Sequence, residues 1–108
     1  MHVRILSASG GDRLEVYNTI FSTQVTLGTL NLGRTDYVAG GSLWFFNSTM
    51  TMSGSSVTIV LAAPLGTPGT AAGNGVMTWT PSDSATDRAG NPASETPLSE
   101  PGPADREF

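Results

Sequence analysis

Three oxygen-bearing side chains at four-residue spacing, Asp83, Asp87 and Asn91, are the first candidates for chemistry in this chain. Carboxylate and amide oxygens are the ligands that Ca²⁺ prefers. A calcium loop of the EF-hand type places oxygens at alternate positions and ends on a glutamate about twelve residues along, and this segment has neither feature. The spacing favours a turn in which Asp87 accepts hydrogen bonds from nearby backbone N–H groups. We therefore predict that the chain has no metal site. Asp83, Asp87 and Asn91 are only weak candidates for metal ligands.

The residue types needed for catalysis are scarce. His2 is the single histidine, and it lies at the N-terminus, where chains commonly fray. The chain has no cysteine, so it has no thiolate nucleophile, thiolate metal ligand or disulfide. The acidic side chains are dispersed through turns and the C-terminal segment, where no common site can be inferred. These features predict a protein that is not an enzyme, with no catalytic residue and no cofactor.

Aromatic side chains offer a binding surface. Within Leu43–Phe46, Trp44 and Phe46 share one side of a strand while Phe45 takes the other side. Rings on an exposed sheet face can stack on sugars, and exposed apolar patches often mark binding sites. Tyr37, Trp44 and Phe46 are therefore the candidate ligand-binding residues, with polysaccharide as the ligand class. Packing in the core is the alternative for most of these rings.

The charge balance restricts the partners of this protein. Its formal net charge is −4, so phosphate backbones and anionic lipid surfaces repel it. The longest apolar stretches, Leu43–Phe46 and Val57–Leu65, are far too short to cross a bilayer. The sequence therefore predicts neither nucleic-acid binding nor membrane insertion.

The elements that must position these residues are strands. Apolar residues alternate with polar ones instead of recurring at the helical period of about 3.6 residues. Two hairpins are predicted, one joining Val3–Ile5 to Leu14–Val16 and one joining Thr49–Met52 to Val57–Leu61. With further short strands between and after them, about seven short antiparallel strands predict an all-β sandwich.

The phase of the alternation predicts which side chains point inward. The predicted core residues are Val16, Val25, Leu27, Val57, Ile59, Leu61 and Trp79. After Pro81 the chain contains four further prolines, which argue against regular strand pairing. We therefore divide the chain into a β domain over residues 1–91 and an extended proline-rich tail or linker over residues 92–108.

Several motifs occur in an order and spacing that resemble a known family. In chain order they are Leu14–Asn18, Leu32–Val38, Val57–Leu61, Met77–Ser82 and Asp87–Asn91. From Leu14 to Phe108 the chain is similar to bacterial Ig-like β-sandwich domains of exported and surface proteins of actinobacteria, related to repeats that end in an Asp-x-Ala-Gly-Asn turn. The resemblance implies an Ig-like sandwich in an extracellular or cell-surface setting. It implies no catalytic residues.

The chain departs from this family at its N-terminal end. Family members usually carry additional upstream strands, so the chain resembles an N-terminally truncated sandwich. A sandwich that lacks a strand has an unpaired edge, onto which another chain can add one. We therefore expect a non-catalytic structural or adhesive module of an extracellular or cell-surface assembly, which self-associates as a homo-oligomer or accepts a strand from a protein partner. The alternatives are a carbohydrate-binding β-sandwich module and a virion or pilus-like structural subunit.

Overall fold

The computed structural model of this protein describes residues 1–18, 23–69 and 73–105. Within these ranges the chain forms nine strands and no helix, and hence no helix long and apolar enough to cross a membrane. In chain order the strands are β1 (His2–Leu6), β2 (Arg13–Tyr17), β3 (Thr29–Asn31), β4 (Ser42–Phe45), β5 (Thr49–Ser53), β6 (Ser56–Val60), β7 (Pro64–Leu65), β8 (Thr78–Thr80) and β9 (Leu98–Ser99). The prediction of an all-β fold built from short antiparallel strands is confirmed.

Seven of these strands form one antiparallel sheet in the order β7-β4-β1-β2-β3-β8-β9, and β5 pairs only with β6. Both predicted hairpins are present, since β1 pairs with β2 and β5 pairs with β6. The prediction that regular pairing ends at Pro81 is wrong at Leu98–Ser99, which pair with Trp79 and Thr78. A sheet edge tolerates proline, and β9 occupies the edge next to β8, directly after Pro97.

The strand register sorts the side chains of the large sheet into two faces, because cross-strand partners lie on the same face. On one face, successive partners form a continuous line of apolar residues, which we call the apolar row. Its members, strand by strand, are Leu43, Ile5, Leu14, Leu30, Trp79 and Leu98. On the opposite face, Arg4 lies between its partners Trp44 and Glu15.

The core lies on the side of the apolar row, under strands β4, β1 and β2. Its buried strand residues are Val3, Ile5, Val16, Leu43 and Phe45. Three residues from the segment after β3 complete the buried cluster, namely Leu32, Tyr37 and Val38. Because β2 is the central strand of the sheet, with β1 and β4 to one side of it, this cluster occupies the middle of the sheet and one flank.

The β5–β6 hairpin lies over the same face of the large sheet, since Ile59 packs against the core cluster. A two-residue turn closes it, with Gly54 at a φ of 58° as the first turn residue. Glycine adopts this positive φ without strain. The register places Met50 opposite Ile59 and Met52 opposite Val57, so the hairpin has an apolar inner face and a Ser/Thr-rich outer face.

The predicted core is only partly correct. Val16 is buried, and four further predicted residues, Val25, Leu27, Ile59 and Leu61, are half-buried. The prediction is wrong for Val57 and Trp79, which are 46% and 41% exposed. In the described part of the chain the layer above the sheet has only two strands. Trp79 lies beyond their reach, and Val57 lies on the strand that forms the edge of this layer.

Candidate functional site

Trp44 and Phe46 lie together on the sheet face opposite the core. Their rings are nearly parallel, with centroids 6.0 Å apart and an interplanar angle of 5°. The ring of Tyr17 lies 5.2 Å from that of Trp44, and the imidazole of His2 meets Phe46 edge-on at 5.3 Å. The four rings are contiguous because β1, β2 and β4 are neighbours in the sheet.

An ion pair lies beside these rings. The guanidinium of Arg4 donates from Nε to Oε2 of Glu15 over 2.8 Å, and from Nη2 to the Tyr17 hydroxyl over 2.7 Å. Its carbon sits 5.1 Å from the Tyr17 ring centroid and 5.3 Å from that of Trp44, within the range of cation–π attraction. We call His2, Arg4, Glu15, Tyr17, Trp44 and Phe46 the ring cluster.

The hydroxyl of Tyr17 is hydrogen-bonded to both charged residues of the ring cluster, Arg4 and Glu15. It donates to Oε2 of Glu15 over 3.0 Å. Burial of the ring, together with this bond to Glu15, raises the pKa of the Tyr17 phenol, so the hydroxyl keeps its proton throughout the neutral range. The cluster therefore presents aromatic rings beside a fixed cation and carboxylate, which can contact the apolar and the hydroxyl-bearing sides of a sugar.

Tyr37 does not lie on this surface. Its side chain is 2% exposed and belongs to the core cluster. This corrects its assignment to the ligand-binding set. The segment around Tyr37 forms an irregular loop and not a strand, and its ring is buried.

Asp12 is a fully buried carboxylate that the sequence analysis did not single out. Its Oδ2 accepts hydrogen bonds from the backbone N–H groups of Tyr37 and Val38 at 3.0 and 3.1 Å. Its Oδ1 accepts one from Ala8 at 3.4 Å. A buried carboxylate is tolerated only when it is hydrogen-bonded in this way. Asp12 thus anchors the segment after β3 to the turn between β1 and β2, which is a structural role.

The segment around Asp87 forms a local turn network. Oδ1 of Asp87 accepts from the N–H groups of Ala89 and Asn91 at 2.8 and 2.9 Å, and Oδ2 accepts from the Asn91 side-chain amide at 2.9 Å. These bonds from Asn91 lower the pKa of the Asp87 carboxyl. Asp83 stands apart and contacts the hydroxyl of Ser84 at 3.5 Å. Within the described ranges, no three His, Asp or Glu side chains are grouped so that they could hold a metal ion.

On the core side of the sheet, an apolar groove of about 300 Å³ opens between the hairpin and the apolar row. The hairpin contributes Ser55, Val57 and Ile59, and the row contributes Leu14, Leu30 and Trp79. The indole N–H of Trp79 donates to the backbone carbonyl of Leu27 over 2.7 Å, which fixes the ring at the groove wall. Apolar concavities with few polar groups are typical of binding sites.

The part of the chain that forms the hairpin side of this groove carries no charge. From Tyr37 to Ser82 the sequence contains no Asp, Glu, Lys, Arg or His. This stretch includes both hairpin strands, β5 and β6, and they also lack proline. Charged residues and proline are the features with which proteins usually protect exposed strand edges from pairing, so these edges are unprotected.

Comparison of the chain with protein-family models, with curated proteins and with solved structures found no match. Membership of the bacterial Ig-like family therefore stays a prediction that rests on the sequence motifs. A functional proposal for the molecule depends on the geometry of its two sheet faces, the ring cluster on one and the groove on the other.

Proposed function

We propose that the protein is a non-catalytic structural or adhesive module, which attaches to neighbouring polypeptide through the uncovered part of its apolar row. One observation carries this proposal. Along the row, Leu43 and Ile5 are 5% and 2% exposed, whereas Trp79 and Leu98 are 41% and 57% exposed. Soluble monomers rarely expose large contiguous apolar patches, and such a patch commonly marks an interaction site.

The proposed architecture is an Ig-like sandwich whose second layer is incomplete. In such a sandwich two sheets of several strands cover each other, whereas here a two-stranded hairpin faces a seven-stranded sheet. The sequence motifs support this interpretation. An extracellular or cell-surface setting, including a pilus-like or virion subunit, is part of the proposal and is supported by the family resemblance.

Hydrophobic burial gives this surface its binding energy. Covering one aliphatic side chain contributes about 1.5–3 kcal/mol. On the inner face of the hairpin, Val57 and Met52 are also uncovered, at 46% and 77% exposed. A partner that covers several of these residues offsets the loss of translational and rotational freedom on association.

Light scattering and analytical ultracentrifugation over a range of protein concentrations test the proposal. We expect concentration-dependent association that Leu98→Ser weakens. Leu65→Ser is the matched control, because Leu65 is similarly exposed in a two-residue edge strand but lies on the opposite face, as the partner of Trp44. A stable monomer whose unfolding is independent of concentration, or an equal effect of both variants, would contradict the proposal.

Carbohydrate binding is a second candidate function, favoured by the ring cluster. Trp44 and Phe46 are partly exposed and nearly parallel, and the Arg4–Glu15 pair supplies donors and acceptors beside them. Titration of a Trp79→Phe variant with soluble polysaccharides would leave Trp44 as the sole tryptophan reporter. We expect a fluorescence change that Phe46→Ala removes. An unchanged spectrum with every polysaccharide would eliminate this candidate.

A further inference from the structure

We infer that the free edge of β6 accepts an extended peptide strand from a neighbouring chain, and that this strand closes the apolar groove. The occupant is an uncharged segment with apolar side chains at every second position. This inference rests on the proposed attachment function, and specifies the site and the chemistry of the partner.

The first support is the backbone of β6. Among the described strands, β6 pairs only with β5. In an antiparallel pair closed by a two-residue turn, alternate residues exchange hydrogen bonds, beginning with Ser53 and Ser56. The N–H and C=O groups of Val57 and Ile59 therefore point away from β5, towards the free edge. These are the groups that an added strand would bind.

The second support is the position of the groove relative to this edge. Val57 and Ile59 of β6 line the groove, and no described residue of β5 does. The open space therefore lies on the free side of β6. A strand added there would run above Leu30 and Trp79, at about the 10 Å spacing of packed β layers. Its groove-facing side chains would bury the exposed apolar part of the row.

The third support is the charge pattern, which defines the chemistry of the added strand. Every residue that lines the groove is uncharged, so a charged side chain would enter without a partner for its charge, at a large desolvation cost. The outer face of the hairpin carries Ser56 and Thr58, so outward positions of the added strand would lie beside hydroxyl groups. A strand in which aliphatic residues alternate with serine or threonine would place its aliphatic side chains in the groove and its hydroxyl groups beside the outer face of the hairpin.

A synthetic peptide tests the inference directly. The probe is Thr-Val-Thr-Ile-Thr-Val-Thr, acetylated and amidated at its ends, added to a Trp44→Phe variant in which Trp79 is the only tryptophan. We expect saturable binding with a blue shift of the Trp79 emission, because the indole becomes more buried. The matched control peptide has the same side chains but is N-methylated at its valines and isoleucine, which removes the donors that would face β6.

The expected difference between the two peptides is about tenfold or more in affinity, since each lost backbone hydrogen bond contributes about 1 kcal/mol. Amide hydrogen exchange gives a second measurement. The added strand should slow exchange at Val57 and Ile59, whereas the amide of Thr58, directed towards β5, should change much less.

Two results would overturn the inference. Equal binding of both peptides would mean that the groove accepts apolar groups without strand pairing, and absence of binding by either peptide would mean that β6 accepts no strand of this chemistry. In both cases, association that Leu98→Ser weakens would leave the proposed attachment function standing. If that association were absent as well, the proposed attachment function would also be contradicted.

Discussion

In strands β4, β1 and β2 the apolar row is packed beneath the hairpin and the loop after β3, whereas in β8 and β9 it faces solvent. The register is continuous through both regions, from Leu43 to Leu98. Alternation along each strand therefore decides which face a side chain occupies. Whether that face is buried depends on the second layer, which ends before it reaches β9.

The two regions also differ in whether the hydrogen bonds of their polar side chains are buried or exposed. The covered half contains the buried carboxylate of Asp12, which accepts hydrogen bonds from the backbone of Tyr37 and Val38. The open half, formed by β8 and β9, has side-chain hydrogen bonds at exposed positions, such as those from the Trp79 indole to the Leu27 carbonyl and between the hydroxyls of Thr78 and Ser99. Substitutions in the covered half should therefore cost much more folding free energy than those in the open half.

The largest effect is expected from Asp12→Ala. Backbone N–H groups of Ala8, Tyr37 and Val38 would lose their acceptor, two of them in the core, which should destabilise the protein by about 3 kcal/mol or more. Urea unfolding followed by circular dichroism measures this loss. Asp36→Ala removes an exposed carboxylate paired with Arg34, and should leave the midpoint nearly unchanged. Similar midpoints for the two variants would show that Asp12 is no anchor.

The comparison can be sharpened with two members of the apolar row. Ile5→Ala should cost about 2–5 kcal/mol, because it leaves a cavity at a buried site. Leu98→Ala, at the exposed end of the same row, should change the free energy of unfolding of the monomer by no more than about 0.5 kcal/mol. Urea unfolding at low protein concentration measures both. Comparable losses would mean that the open half is covered in solution.

A smaller effect is expected from Trp79→Phe. The substitution keeps an aromatic ring at the groove wall but removes the indole N–H that donates to Leu27, so the loss should be about 1 kcal/mol. Thermal unfolding measures it. Thr78→Ser is the neighbouring control, because serine retains the hydroxyl that hydrogen-bonds Ser99 at 3.1 Å. If the control lowered the melting temperature as much as Trp79→Phe, the indole bond would contribute nothing specific.

The smallest effect concerns the turn at Asp87 and depends on pH. Because hydrogen bonds lower the pKa of Asp87 in the folded state, its stabilisation of the turn is complete above the unfolded pKa of about 4. It is lost as pH falls through the lower folded value. Titration followed by NMR should show that Asn91→Ala raises the Asp87 midpoint. An identical midpoint in both proteins would assign the shift to another cause.

The sequence predicted both hairpins and the all-β class, because each strand carries its own alternation and turn residues. It also predicted a set of inward-pointing side chains, most of which do lie around one groove in the structure. Six of the seven predicted core residues, all except Leu61, line the groove. What alternation could not predict was the exposure of Val57 and Trp79, since that depends on how many strands form the opposing layer.

The other features that the sequence did not predict depend on contacts between residues far apart in the chain. Asp12 follows two glycines, which predicts only a turn, and its buried role appears when the chain returns at Tyr37, far along the sequence. The ring cluster was predicted in part, through Trp44 and Phe46. Arg4, Glu15 and Tyr17 belong to other strands, and only the register of β1 with β2 and β4 brings them to the same place.

The strand order also affects how the chain can fold while it is being synthesised. Of the described strands, β1 and β2 are synthesised first; β2 is the central strand of the large sheet and β1 is its neighbour, and their pairing needs only a short turn. Strands β3, β4 and β7 can then add outward on either side as they emerge, and β8 and β9 follow them at one edge. Growth from the centre lets each new strand dock on a finished neighbour. Among the described strands, the apolar end of the row is thus added to the sheet after the strands that carry the core.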